Sequence, residues 1–161
     1  MIDFDFVRLR DACRYAAENS HDPDTQNGAV LVTAGGTIYA ANCVPRGVSR
    51  PDHRLARPFK YHFVEHAERA AIYKAAEVGA ATAGATLYCP WFACTDCARA
   101  IIQAGIKEVV GLVAMRNATP ARWLLNVEMA ERMLEEAGVS QRLLAGSVGV
   151  TIRFDGRDFQ C

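Results

Sequence analysis

Two short segments of this chain carry the residue types needed for metal-assisted hydrolysis: His66-Ala67-Glu68 and Cys94-Thr95-Asp96-Cys97. One imidazole and two thiols can hold a zinc ion and leave its fourth position for water, whereas structural zinc is closed by four protein ligands. Cys94 and Cys97 stand three apart, so in the first turn of a helix they share a face. The positive end of the helix dipole favours their thiolates there. His66 and Glu68 stand two apart and do not share a helix face. His66 can therefore ligate the metal while Glu68 reaches its water and moves protons. A lone C-x-x-C could equally be a redox pair or two core cysteines, and a lone H-A-E is usually surface. A closed structural zinc would need a fourth ligand such as Cys89, His62 or Cys43, and would leave Glu68 without a task. The expected metal ligands are His66, Cys94 and Cys97, with Glu68 as the catalytic carboxylate.

These residues need elements to position them. Phe4, Val7, Leu9, Cys13, Ala16 and Ala17 recur at helical spacing, which predicts an amphipathic helix over 4–19. Residues 28–33 and 37–42 read as a hairpin around Gly35-Gly36. Residues 43–64 hold Pro45, Pro51 and Pro58 without a period, and long loops inside compact domains are usually functional. A helix over 66–78 closes at Gly79, and a strand over 85–89 stops at Pro90. A helix capped by Thr95 or Asp96 runs to Gln103, with Gly105 beyond it. A buried strand over 109–113, a helix over 120–137 and an alternating strand over 148–154 complete the order. Helices crossing between strands imply parallel pairing and a sheet covered on both faces. In particular, the helix over 120–137 makes the last two strands parallel, where a tight hairpin would make them antiparallel.

The 161 residues are 51% hydrophobic and 22% charged, a balance that suits one domain, 1–161, with one core. A net charge of zero gives no general attraction to nucleic acid or anionic membrane. No apolar run approaches the ~20 residues of a membrane span. The acidic start Met1-Ile2-Asp3-Phe4-Asp5 lacks an export-signal pattern. A cytoplasmic protein is expected, whose six cysteines serve metal or redox chemistry rather than disulfides.

The motif set resembles the deoxycytidylate deaminase branch of the zinc-dependent cytidine deaminase superfamily. The resemblance spans roughly residues 20–140 and rests on Asp22-Pro23, Thr25-Gln26, Gly28-Ala29, Asn42, Pro45, Lys60-Tyr61, His66-Ala67-Glu68, Cys94, Cys97, Ala98 and the run from Ile101 to Val109. It implies a three-layer α/β/α fold around a mixed five-stranded sheet, a bound Zn2+ and hydrolysis of an exocyclic amine. It also implies a homo-oligomer. By resemblance, the Ala67 backbone N–H meets the pyrimidine carbonyl and Asn42 meets sugar or base. The chain departs from the family pattern in three places. Ala93 rather than proline precedes Cys94, Ala70 stands where asparagine is frequent, and Asn27 stands where an apolar residue is usual.

The expected substrate is a cytosine nucleotide of the deoxycytidylate type; the alternative is a free base, a nucleoside or another aminated heterocycle. Zinc would bring the pKa of water to about 7. Glu68 would take its proton and return protons to the ring nitrogen and the departing ammonia. The 43–64 loop carries Arg46, Arg50, Arg54, Arg57, Lys60 and His53 against one acid, Asp52, so it could cradle a phosphate or be a solvated loop. Arg46 is taken as the phosphate contact. Trp91 and Phe92 are candidate walls for the base, as are Tyr61 and Phe63.

Overall fold

The computed structural model describes residues 3–161. Helix α1 (Phe4–Asn19) starts where the Asp3 carboxylate accepts the N–H of Asp5, which supplies one of the bonds a helix start lacks. Its buried residues Leu9, Ala12, Cys13 and Ala16 fall on one stripe at helical spacing. That stripe rests on strand β1 (Gly28–Thr33), and the approach is close at its first residue. A Cβ on Gly28 would stand 2.1 Å from the Ala12 carbonyl oxygen, so only glycine fits beneath the helix. Gly28→Ala is expected to lower stability by about 1–3 kcal/mol through overpacking, measured as a shift in the denaturant midpoint. An unchanged midpoint would mean that α1 moves away from the sheet at no cost.

β1 pairs antiparallel with β2 (Gly36–Ala41) and, on its other side, with β3 (Thr86–Tyr88). The short helices α2 (Asp52–Leu55) and α3 (Lys60–Phe63) interrupt the 43–64 loop, which precedes α4 (Ala67–Glu77). From β3 the chain crosses through α5 (Thr95–Gln103) to the parallel β4 (Glu108–Leu112). The one-turn α6 (Val113–Asn117) and the long α7 (Ala121–Glu136) then lead to the parallel β5 (Ser140–Leu144). The sheet order is β2-β1-β3-β4-β5. Alternation along the strands divides the side chains between two cores. Ala29, Leu31, Leu87 and Val109 pack against the buried faces of α4, α5 and α7. Val110 and Leu112 pack with Leu9 and Cys13 of α1 on the opposite face.

The last part of the chain corrects the sequence reading. The strand parallel to β4 is Ser140–Leu144, not 148–154. It is an edge strand without a fully buried residue, so no apolar alternation marks it. The alternating segment instead forms β6 (Thr151–Phe154), which pairs antiparallel with β7 (Arg157–Gln160) in a separate two-stranded ribbon. Asp155 and Gly156 link them at φ 49° and 77°, the left-handed pair that a tight Asp-Gly hairpin requires. Ile152 and Phe154 bury their side chains in the α1 side of the core. The parallel pairing expected at the end of the sheet is present, reached through α7 as the crossover argument requires. Among the described residues, no helix is long and apolar enough to cross a membrane.

Candidate metal centre and substrate cleft

His66 occupies the residue before α4 and Cys94 the residue before α5, both with extended backbone. The two helix starts meet where His66 approaches Cys94, and the positive ends of their dipoles favour negative charge there. His66 Nδ1 lies 3.4 Å from Cys94 Sγ and 3.5 Å from Cys97 Sγ. The three donor atoms all lie within 4.8 Å of one another. Zinc bonds of ~2.0–2.3 Å at a tetrahedral angle separate donors by roughly 3.5 Å, so this set fits zinc without rearrangement. Among the described residues it is the only cluster of three or more such ligands. Cys94 Sγ also accepts from the Cys97 N–H, as the first helical turn allows.

The charges in the centre are mutually dependent. The hydrogen bond from Cys97 is the main influence holding the Cys94 thiol down to about 4; burial opposes it and His66 adds to it. Cys97 is pushed well up by the Cys94 sulfur and by burial. Burial pulls His66 down, but its hydrogen bond to Cys94 and the charges of Cys94 and Glu68 leave it above its ordinary value. Glu68, in the first turn of α4, is 2% exposed. Burial raises it to about 6, against the opposing pull of His66. Its Oε2 has no hydrogen-bond partner. A buried carboxylate oxygen left unpaired beside three metal donors fits a group that carries protons for whatever occupies the fourth position.

His66, Glu68 and Cys94 line a cleft of about 210 Å³, while Cys97 is fully buried. Trp91, Phe92, Tyr61, Trp123 and Phe154 supply its aromatic lining. The Trp91 Nε1–H donates to Thr119 Oγ1 at 3.1 Å, and its ring meets those of Trp123 and Phe154 edge-on. Trp123, on the first turn of α7, places its ring centroid 6.3 Å from that of His66. Asn126, one helical turn further on, accepts the Thr95 N–H at 2.9 Å and so ties α7 to the start of α5.

Charged residues ring the cleft. Buried Lys60 donates to both oxygens of Asp22 at 2.9 Å and lies 3.4 Å from Asp24. Arg57 pairs with Asp155 at 2.9 Å and with Asp24 at 3.6 Å, while Arg122 also pairs with Asp155. The Asp-Gly turn of the terminal ribbon therefore reaches the cleft, a placement that no motif in the sequence signals.

Of the expected substrate contacts, one lies outside the cleft and one is already engaged within the chain. Arg46 does not line the cleft; its exposed guanidinium pairs with Glu77 at 2.7 Å in a second groove, beside Arg50. The 43–64 loop turns at Gly47 (φ 85°), and only its later cations, Arg57 and Lys60, line the cleft. Arg54 lies 4.5 Å over the Phe63 ring. The Ala67 N–H is not free either. It donates to Asn42 Oδ1 at 3.0 Å, while Asn42 Nδ2 donates to the Thr25 carbonyl at 2.8 Å. Asn42 lines the cleft, but both ends of its amide are engaged in holding α4 against the start of the sheet. Trp91 and Phe92 line the cleft, and Phe92 also packs in the core. Sequence reasoning missed Trp123, Asn126, Arg122 and Asp155, which come from the α7 region and the terminal ribbon. The one available signal was the Asp-Gly dipeptide, which marks the turn but not its neighbours.

This fold, with a His/Cys/Cys cluster beside a buried carboxylate, fits the class of zinc-dependent hydrolases. Residues 6–113 match the model of the cytidine and deoxycytidylate deaminase zinc-binding region. The human protein named deoxycytidylate deaminase is 36% identical over 124 residues, covering 70% of this chain and 68% of its own. A probable deoxycytidylate deaminase of Drosophila melanogaster is 32% identical over 154 residues, covering 87% and 72%. The orangutan (Pongo abelii) deoxycytidylate deaminase is matched over 57% of its length. In fold, the chain is similar to the dCMP deaminase of cyanophage S-TIM5, with a TM-score of 0.67 at 24% identity over 88% of this chain and 97% of that one. The chain belongs to the cytidine and deoxycytidylate deaminase family, and its His/Cys/Cys group is placed to bind that family's zinc.

Proposed function

We propose that this protein hydrolyses the exocyclic amine of a cytosine nucleotide, deoxycytidylate or a close analogue, giving the uracil nucleotide and ammonia. The observation that carries this reading is the meeting of His66 Nδ1 with two cysteine sulfurs at an aromatic cleft that His66, Cys94 and the buried Glu68, with its unpaired Oε2, line. The names of the human and insect relatives supply the substrate class. His66, Cys94 and Cys97 hold the zinc, which when bound brings water within reach of deprotonation near neutral pH. Glu68 takes a proton from water, delivers one to the ring nitrogen and assists the amine to leave as ammonia. Its raised pKa suits a group that must both take and give a proton near neutrality. Asn42 keeps the first turn of α4, and with it Glu68, in place. Trp91, Phe92 and Trp123 offer faces for the ring and limit water in the cleft.

Arg57 and Arg122 are the cations we assign to the nucleotide phosphate, in exchange for Asp155. A charge-assisted bond contributes ~1.5–3 kcal/mol. Arg57→Ala or Arg122→Ala is therefore expected to reduce kcat/KM for deoxycytidylate at least about tenfold while leaving deoxycytidine nearly unchanged. Ammonia release from deoxycytidylate, deoxycytidine and cytosine measures both the preference and its loss. One observation favours the second reading, an uncharged nucleoside or base. Asp22, Asp24 and Asp155 already balance Lys60, Arg57 and Arg122. If the unsubstituted protein prefers deoxycytidine or cytosine, the phosphate assignment is wrong and that reading holds.

In this reading residues 1–161 form one domain that acts in the cytoplasm on a small molecule, as a homo-oligomer. Light scattering on the purified chain would give the oligomer's mass.

A further inference from the structure

Among the described residues, two buried side-chain polar atoms lack a hydrogen-bond partner: Glu68 Oε2 and Asn27 Oδ1. The first belongs to the machinery above. The second has no task in it. Asn27 is 4% exposed, lies immediately before β1 and lines the same cleft. Its amide orientation is determined by its neighbours. Nδ2 donates to the Trp91 carbonyl at 2.8 Å and approaches Cys89 Sγ at 3.3 Å, so Oδ1 is necessarily the other, unpaired end. Its backbone carbonyl is also in use, accepting the Asn42 N–H at 3.0 Å. Leaving such an acceptor buried and unpaired costs free energy that an apolar residue of similar size would not incur. A ligand with an N–H or O–H donor would recover that loss.

The function proposed above, on which this inference rests, supplies the donor. A cytosine 2′-deoxynucleotide has two donor groups apart from its phosphate, the 4-amino group and the 3′-hydroxyl. Asn27 Nδ2 approaches Cys89 Sγ, and that thiol lies close enough to Glu68 and Cys94 to feel their charges, so the amide lies toward the metal end of the cleft. That is where the reacting amine must sit. We propose that Asn27 is a specificity-determining residue whose Oδ1 accepts a hydrogen bond from the substrate's 4-amino group. The uracil product has a carbonyl oxygen there and no hydrogen to give. Two acceptors would face each other, so the same residue that retains the substrate disfavours the product.

The test uses zinc-loaded full-length protein, with deoxycytidylate as substrate and deoxyuridylate as inhibitor. Asn27→Leu keeps the branching of the side chain and removes the acceptor. The expected result is a loss of about tenfold or more in kcat/KM for deoxycytidylate, with inhibition by deoxyuridylate unchanged or tighter. Asn27→Ala is read in the same way if the leucine variant does not fold, as judged by its thermal melt. Weakening of substrate and product in equal ratio would show a purely structural role and overturn the proposal, as would a change of less than about threefold in kcat/KM. A third arm uses 2′,3′-dideoxycytidylate. If the variant and the unsubstituted protein handle this compound equally, the acceptor serves the 3′-hydroxyl, and the assignment to the amine is overturned. Unsubstituted protein that releases no ammonia from deoxycytidylate overturns the proposed function and this inference with it. Active unsubstituted protein with an unselective Asn27 variant overturns this inference alone.

Discussion

Glu68→Gln is expected to keep its fold and its zinc and to lose about 10²–10⁴-fold in kcat, the usual contribution of a positioned acid–base group. The substitution is isosteric and removes only the ability to carry a proton. No neighbouring carboxylate is placed to take over. Glu65 is committed to Arg69 and to the His66 N–H, and Asp96 is exposed and paired with Arg69 and Arg99. Glu68, by contrast, is buried in the cleft with one oxygen unpaired. The measurement is kcat for ammonia release together with zinc content per chain. A near-normal rate at full zinc occupancy would place the proton transfer on another group.

Cys94→Ser, Cys97→Ser and His66→Ala are each expected to abolish stoichiometric zinc and, with it, turnover. The three donors already stand at separations that suit the ion, so removing one leaves only two protein ligands. Cys43→Ser and Cys161→Ser are the controls, since neither residue belongs to that cluster. The metal should also be visible in stability. A ligand at 1,000 times its Kd stabilises the folded chain by about 4 kcal/mol. In a chain of this length that corresponds to a fall of roughly 10 °C in Tm when a chelator removes the zinc. Full zinc retention in both cysteine variants would be incompatible with the ligand set. An unchanged Tm after verified metal removal would show that the ion contributes nothing to the fold.

Legibility followed the range of the interactions. The H-A-E and C-x-x-C segments were readable because each is a local device. One places a histidine before a helix, and the other puts two cysteines on one helical turn. Helix α1 was readable because its buried stripe repeats at helical spacing. β5 was not, because an edge strand buries little and shows no alternation. Residues 148–154 misled for the complementary reason. Alternation reports that one face of a strand is buried, but not which sheet it joins, and here the partner is β7. Arg46 misled because composition counts charges along a loop without saying where its turns send them; one turn at Gly47 puts Arg46 against Glu77 and outside the cleft.

By itself the sequence determined the chemistry available: three residues of the right type and spacing for zinc, one carboxylate beside them, and an alternation of helices and strands that implies parallel pairing. These depend on covalent spacing and helical periodicity, which act over a few residues. The tertiary structure decided which groups surround that chemistry. It sets Trp123 of α7 near His66 and brings Asp155 of the terminal ribbon to Arg57 and Arg122. It occupies the Ala67 N–H with Asn42 and leaves the Asn27 side-chain oxygen Oδ1 buried and unpaired. Each of these joins residues far apart in the chain. Packing of the two cores against the sheet sets where they meet, and no local pattern encodes that distance.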